Sequence, residues 1–179
     1  MSFQWIIDQA ETISLNRKKV VSSTTARDGT TRAVSRGNQP WRFEVKLPDG
    51  IRWTDIRNDI SKAEALDRVS TATISANHTG QDWIFKYQGN STLPQTFSAS
   101  WTQGSTTVTI TSGGGTTSSG YKFKAGDFIQ LGTSGGVYTV AADVAYNSNS
   151  ITVHRAVVQS SGTGTLKVGD QVSWTVLCT

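Results

Sequence analysis

Cysteine is almost missing from this chain. Cys178 stands alone, so neither an internal disulfide nor a multi-cysteine metal site can form. That excludes a disulfide-stapled secreted scaffold and favours a chain made in a reducing compartment. Histidine occurs only at His78 and His154, and a two-histidine metal site needs a third converging ligand that the spacing does not propose. No stretch approaches the roughly 18 apolar residues of a membrane span. The opening "MSFQWIIDQAETI" has no basic lead, and Asp8 and Glu11 interrupt its apolar run, so it does not read as a signal peptide. The expectation is a soluble chain synthesised in a cytoplasm.

Chemistry-bearing patterns are equally sparse. The net charge is +4, but both signs are mixed, and the one basic cluster is Arg17, Lys18 and Lys19. Nucleic-acid binding asks for a concentrated basic face, so these three read as a solvated strand or turn. There is no Gly-x-Ser-x-Gly elbow. Glu64 is the last glutamate, and beyond it only Asp82, Asp127, Asp143 and Asp170 carry carboxylates, which leaves little for paired-carboxylate chemistry. The glycine-rich "TSGGGTTSSG", residues 111–120, lacks the lysine of a phosphate loop and no helix pattern follows it. Asn77-His78-Thr79 and Asn90-Ser91-Thr92 match the glycosylation pattern, which chance alone supplies in so threonine-rich a chain. No catalytic, cofactor-binding or metal-binding residue is expected, and no enzyme.

What the chain has in abundance is serine and threonine, about a quarter of its residues, together with 17 glycines. Threonine is β-branched and suits a pleated, half-buried surface. The composition predicts a β-rich protein with many turns. "FQWII", residues 3–7, reads as a short strand, and "ETISLNRKKVVSST" as a strand broken by a polar turn near Asn16. Residues 22–40 are polar and read as a long loop or an extended, exposed hairpin, a length that is uncommon unless the segment binds something. In "PWRFEVKLPDG" the residues Trp41, Phe43, Val45 and Leu47 fall on one face and Arg42, Glu44 and Lys46 on the other, a period of two that ends in a Pro-Asp-Gly turn. One helix is expected over residues 55–69, with Ile56, Ile60, Ala63, Leu66 and Val69 at helical spacing and Thr54 or Asp55 as cap. "TATISA" and "DWIFKYQG" read as two further strands, and Phe97, Ala99 and Trp101 alternate in the next.

After residue 120 charge thins out and glycine turns recur every 8–12 residues, the spacing of a small barrel or sandwich. "DFIQLGTSGGVYTV", residues 127–140, reads as a hairpin turning at Gly132–Gly136. "KAGDFIQL" and "KVGDQVSW" share a Lys-x-Gly-Asp turn in which glycine supplies the unusual dihedral and aspartate bonds nearby amides. Six tryptophans, Trp5, Trp41, Trp53, Trp83, Trp101 and Trp174, fall mostly at apolar strand phases, as core residues do.

The stretch "SFQWIIDQAETISLNRKKVVSSTTARDGTTRAVSRGNQPWRFEVKLPDG", and downstream "YKFKAGDFIQLGTSGGVYTVAADV" with "ITVHRAVV", resembles structural tail proteins of tailed bacteriophages. The likeness is to tail-tube and baseplate proteins of the tube-initiator or hub type. It implies a mainly β fold: a tail-tube-like β-sandwich or barrel of residues 1–101 and 167–179 with the helix at 55–69 as a brace. A small β domain of residues 102–166 would be inserted, the alternative being two domains in series, 1–110 and 118–179. It also implies a ring, hexameric or trimeric, with neighbouring tail-tube, baseplate or hub proteins. Genome DNA would pass through the lumen without sequence-specific binding. The place of action would be the virion tail, after synthesis in the host bacterial cytoplasm. The competing reading is a host-surface carbohydrate-binding module that stacks sugars on exposed aromatics. Strand phase puts Trp41 on the buried face, so Trp41→Ala should destabilise by about 3–5 kcal/mol in a denaturant titration; a change under about 0.5 kcal/mol would place it on the solvent face.

Overall fold

A computed structural model describes residues 3–17, 21–35, 41–65, 70–75, 85–89, 96–113 and 119–177. The short helix α1 (Gln4–Asp8) leads into strands β1 (Thr12–Asn16), β2 (Val21–Thr25), β3 (Thr31–Ser35) and β4 (Arg42–Lys46). Helix α2 (Trp53–Ala65) and strand β5 (Thr71–Ser75) follow. The remaining strands are β6 (Phe97–Trp101), β7 (Thr107–Gly113), β8 (Tyr121–Phe123), β9 (Phe128–Leu131), β10 (Val137–Thr139), β11 (Val144–Ala145), β12 (Ser150–Thr152), β13 (Gly162–Val168) and β14 (Ser173–Leu177). The fold is mainly β, a curled sheet with one long flanking helix, as the composition implies.

The largest sheet runs β10-β9-β13-β6-β7-β12, antiparallel throughout. It curls until its two outer strands meet. Val140 bridges Val153, Ala141 N–H donates to Thr152 O at 2.7 Å, and His154 N–H donates to Thr139 O at 3.0 Å. Closure of this kind removes the unpaired edges that a flat sheet presents. Alternation then sorts the side chains. Phe97, Ala99, Val108, Ile110, Ile129, Leu131, Ile151 and Leu166 point inward and form one core with Tyr138 and Phe123.

A second core lies outside the barrel wall. Strand β14 pairs with β5, and β1 pairs with β4 in the register Ile13↔Val45 and Leu15↔Phe43. Together with α1 these ribbons cover Phe128 and Val137. Strand β9 therefore has both faces buried: Ile129 and Leu131 face the barrel interior, while Phe128 and Gln130 face the ribbons. Phe128 and Trp174 are the hub of an aromatic cluster, with Phe128 centroids 5.5 Å from Phe85, 5.8 Å from Trp41 and 5.9 Å from Trp174. Such tilted and edge-on pairs add about 0.5–1.5 kcal/mol each beyond their burial. Gln130, only 2% exposed, is satisfied on both ends. Its Nε2 donates to Gly135 O and to Ser173 O, each at 2.9 Å, and its Oε1 accepts Ser173 N–H at 3.0 Å.

Several expectations meet this structure directly. The 127–140 hairpin forms, with Val137↔Gln130 and Thr139↔Phe128 in register. Helix α2 starts at Trp53, two residues earlier than expected, runs through Ser61 without a break, and half-buries Ile56, Asp59, Ile60 and Ala63 along one side; residues 66–69 lie outside the described set. "FQWII" is the helix α1 and not a strand. A five-residue apolar run carries no period to separate the two, and the helix lets the Gln4 side chain bond β5: Ser75 N–H donates to Gln4 Oε1 at 2.7 Å and Gln4 Nε2 donates to Ser75 O at 3.0 Å. The described part of "DWIFKYQG", residues 85–89, is not a strand either. Its alternate residues Phe85 and Tyr87 are buried, one in each core, but its backbone is held by a remote side chain: Gln88 N–H donates to Asp127 Oδ1 at 3.0 Å. The two Lys-x-Gly-Asp turns share a left-handed glycine, Gly126 at φ +97° and Gly169 at φ +56°. At Gly169 a Cβ would stand 2.6 Å from Tyr87 N and 2.8 Å from Phe85 O, so the glycine also permits close approach. The polar stretch 111–120 begins inside β7, which reaches Gly113.

Trp41, Phe43 and Val45 occupy the inward phase of β4 as expected, but each is only half-buried. The loss for Trp41→Ala thus belongs at the lower end of the range given above. A larger effect per atom is expected at Gln130. Gln130→Leu leaves the Ser173 N–H and two carbonyls without partners, and should destabilise by about 2–4 kcal/mol in a urea titration; a loss below about 0.5 kcal/mol would show the amide to be dispensable.

Candidate assembly interface

Two surfaces are built differently from the rest. The first is the β2–β3 hairpin. Its strands pair Ser22↔Val34 through Thr25↔Thr31, and Asp28 Oδ1 accepts Thr30 N–H at 2.9 Å in the turn. Every residue from Ser23 to Val34 is exposed, Val34 by 63%. The expected long polar segment is therefore a hairpin, extended beyond the β1–β4 ribbon; residues 36–40 lie outside the described set. Strand β2, "VSSTT", has no Lys, no Pro and no bulge, the usual guards of an exposed edge.

The second is a groove of about 720 Å³ between the ribbons. Trp41 and the β4 residues Arg42, Phe43, Glu44 and Val45 line one side, and Thr175, Val176 and Leu177 of β14 the other; Phe3, Ile6, Ile7 and Ile74 complete it. The lining takes successive residues of each strand. Successive strand residues point to opposite faces, so what borders the groove is the edge of each strand and not one face. Among the described residues β4 pairs only with β1 and β14 only with β5. A side-chain amide caps one residue on each outer edge of the β5–β14 ribbon, Gln4 at Ser75 and Gln130 at Ser173, and the groove borders the Thr175–Leu177 end of β14 beyond that cap. Below the gap the rings of Phe43 and Trp174 touch edge-on, with centroids 5.2 Å apart. The charge on the rim is internally paired, Arg42 Nε lying 3.2 Å from Glu44 Oε1, an exposed pair worth little to stability.

A cationic ladder lies where β1, β4 and the barrel meet. The Arg17 guanidinium stacks over Trp41 at 5.2 Å, Trp41 meets His154 edge-on at 6.2 Å, His154 lies 6.1 Å from Tyr138, and Arg155 covers Tyr138 at 5.1 Å. Thr139 N–H donates to His154 Nδ1 at 2.8 Å, which requires the neutral ring with that nitrogen unprotonated. Burial, reinforced by Arg17 and more weakly by Arg155, pulls His154 down to about 4 against a hydrogen bond with Thr139 that acts the other way. His154 is thus a neutral residue of the barrel seam. His78 lies outside the described residues, as do Asn77, Asp82 and Trp83.

The remaining candidates of the sequence resolve into structural roles. Asp127 is buried; its Oδ2 accepts Lys124 N–H at 2.8 Å, and burial holds its carboxyl above the ordinary value despite the amides of Lys124 and Gln88. Asp143 accepts Ala125 N–H at 2.8 Å and pairs with Lys124 Nζ at 2.9 Å. Asp170 lies in a 3-10 turn, Gly169–Gln171. No group of three or more His, Cys, Asp or Glu gathers among the described residues. Of the tryptophans described, Trp174 is buried, Trp5, Trp41 and Trp101 are half-buried, and Trp53 is 64% exposed on α2.

The histidine gives a pH dependence with a definite sign. Its folded value, about 4, lies below the ordinary 6.5. Between those two values the unfolded chain binds a proton that the folded chain refuses, so stability falls as pH drops from about 6.5 to about 4 and this loss is complete below that range. His154→Gln should flatten the stability difference between pH 7 and pH 4.5 relative to wild type in paired thermal melts; parallel profiles would remove His154 as the cause. Asp127 acts with the opposite sign, and the paired comparison cancels it. No protein-family model matches this chain, and no curated protein matches it significantly.

Proposed function

We propose that the protein is a structural subunit of a bacteriophage tail, part of the tail tube or baseplate, which assembles into a ring through backbone pairing between subunits. The assignment to a phage tail rests on the resemblance of the residue 2–50 and 121–158 stretches to such proteins. The assembly mode is supported by the uneven treatment of strand edges. The six-stranded sheet meets itself at the Val140–Val153 bridge, while among the described residues β4 and the Thr175–Leu177 end of β14 have no strand partner on the groove side and the β2–β3 hairpin stands clear of both cores. Open edges are normally an aggregation hazard. A closed ring satisfies each edge with the neighbour's and limits its own growth.

The work in this reading is mechanical. The two cores share strand β9, and the hairpin and groove carry both signs of charge, Arg27, Asp28 and Arg32 on one and Arg42 with Glu44 on the other. The reading of a sugar-binding module draws less support. It needs several aromatic faces in solvent; among the described residues Trp53, Tyr121 and Tyr146 are exposed, and Lys124 already covers the Tyr121 ring.

Negative-stain microscopy of the purified chain, raised in concentration, should reveal rings or short tubes of constant diameter. A protein that stays monomeric and is retained on a column of host-surface polysaccharide would replace this reading with the carbohydrate-binding one.

A further inference from the structure

We infer that the ladder joining the β1–β4 ribbon to the barrel seam is a binding site for a small doubly charged oxyanion of the phosphate or sulfate class, held by Arg17 and Arg155 with His154 between them. The site is independent of the ring reading above.

Three nitrogens of the ladder are donors without an acceptor. Arg17 Nη1, Arg155 Nε and His154 Nε2 are each buried and have no hydrogen-bond partner among the described residues. For His154 the donor state follows from its other nitrogen. Thr139 N–H donates to Nδ1, so the proton of the neutral ring is on Nε2. The other two donors carry full positive charge. Arg42, Lys46, Lys62 and Lys124 each have a carboxylate oxygen within 3.2 Å, whereas Arg17 and Arg155 pair with none among the described residues. A buried donor left unpaired is costly, and more so when it is charged. The crowding of like charge adds to that cost. Burial, and then the Arg155 charge, pull Arg17 below the ordinary arginine value, and the two charges acting on His154 are Arg17 and Arg155, both cationic. An oxyanion among them reverses both penalties: it accepts from the unpaired N–H groups and balances two charges of one sign.

Stacking presents these donors to one place. Trp41 and Tyr138 hold the two guanidiniums by their faces, at 5.2 and 5.1 Å, and His154 meets both rings, at 6.2 and 6.1 Å. A guanidinium held by its face keeps its N–H edges available, and that planar fork fits two oxygens of one ion. A halide offers a single acceptor centre, whereas a tetrahedral ion offers an oxygen to each donor. Both arginines are half-buried, so the ion can enter from solvent. Arg17 follows directly on β1 and Arg155 follows the seam residue His154, so the bound ion ties the ribbon to the barrel.

Proton NMR of the histidine rings tests this with inorganic sulfate against chloride at equal ionic strength, the His154 resonance being assigned by its loss in His154→Gln. Sulfate should shift the His154 ring protons saturably, and chloride should not. As the site fills, the pH at which His154 titrates should rise from about 4 toward the ordinary 6.5, because an anion favours the charged ring. Inorganic phosphate should compete with sulfate. A short DNA duplex, whose phosphodiesters carry one charge each, should not displace it, and displacement would overturn the small-ion assignment. Arg17→Gln and Arg155→Gln should each weaken sulfate binding about ten- to a hundredfold. Arg17→Lys and Arg155→Lys keep the charge without the fork, should retain part of the affinity, and serve where a glutamine variant gives no cooperative melt. In thermal melts at constant ionic strength, the rise produced by sulfate should be smaller in either glutamine variant than in wild type; general salting-out raises both alike. A His154 resonance that ignores sulfate, moves equally with chloride, or responds equally in the arginine variants overturns the inference. So does a shift seen only as sulfate breaks up a self-associated form, which would make the acceptor a carboxylate of a neighbouring copy. None of these results removes the ring reading, which fails on microscopy of the wild type alone.

Discussion

Strand β9 has no face in solvent, and the rest of the molecule is arranged around that constraint. Its inward residues, Ile129 and Leu131, belong to the barrel, and its outward residues, Phe128 and Gln130, belong to the ribbons. A polar amide in that position would ordinarily be a liability, since each unsatisfied buried group costs about 1–3 kcal/mol. Here it is the fastener. Gln130 ties the β9–β10 turn through Gly135 and the backbone of β14 through Ser173, so the barrel and the ribbons are joined by hydrogen bonds as well as by aromatic packing. Phe85 and Tyr87, two residues apart on one segment and buried in different cores, repeat the same two-sided connection.

That rigidity explains where the unpaired backbone ends up. The six-stranded sheet meets itself where Val140 bridges Val153. The Gln4 side chain stands in for a strand at Ser75. Among the described residues, β4 and the Thr175–Leu177 end of β14 border one groove, and the β2–β3 hairpin stands apart from both cores.

The legible parts of the sequence were those with a clean period. The alternation in "WRFEV", that of Phe97, Ala99 and Trp101 in β6 and the 53–65 helix each repeat long enough to fix type and phase. "FQWII" failed because five apolar residues fit either period, and the contact that decides the matter, Gln4 to Ser75, is remote in sequence. "FKYQG" failed for a related reason. Its alternation is that of a strand, but its partners are the Asp127 carboxylate and the Gly169 backbone, neither of which local propensity registers. Gln130 was visible as a strand residue and invisible as a fastener, because a glutamine between apolar neighbours looks like any solvent-facing position. The groove was illegible altogether. It is a relation between two edges far apart in the chain, and only pairing reveals that both are vacant.

The pairing of β14 with β5 bears on the order in which a nascent polypeptide can mature. Ser173 meets Ser75 and Leu177 meets Thr71 across the whole of the intervening barrel. During translation β5 emerges long before its mate, and the barrel strands are made in between. One wall of the groove consists of β14 itself. Until β14 has been made the groove has only its β4 wall, and the ribbon core lacks Trp174. The ribbon core and the groove are therefore completed together, after the barrel strands have been made.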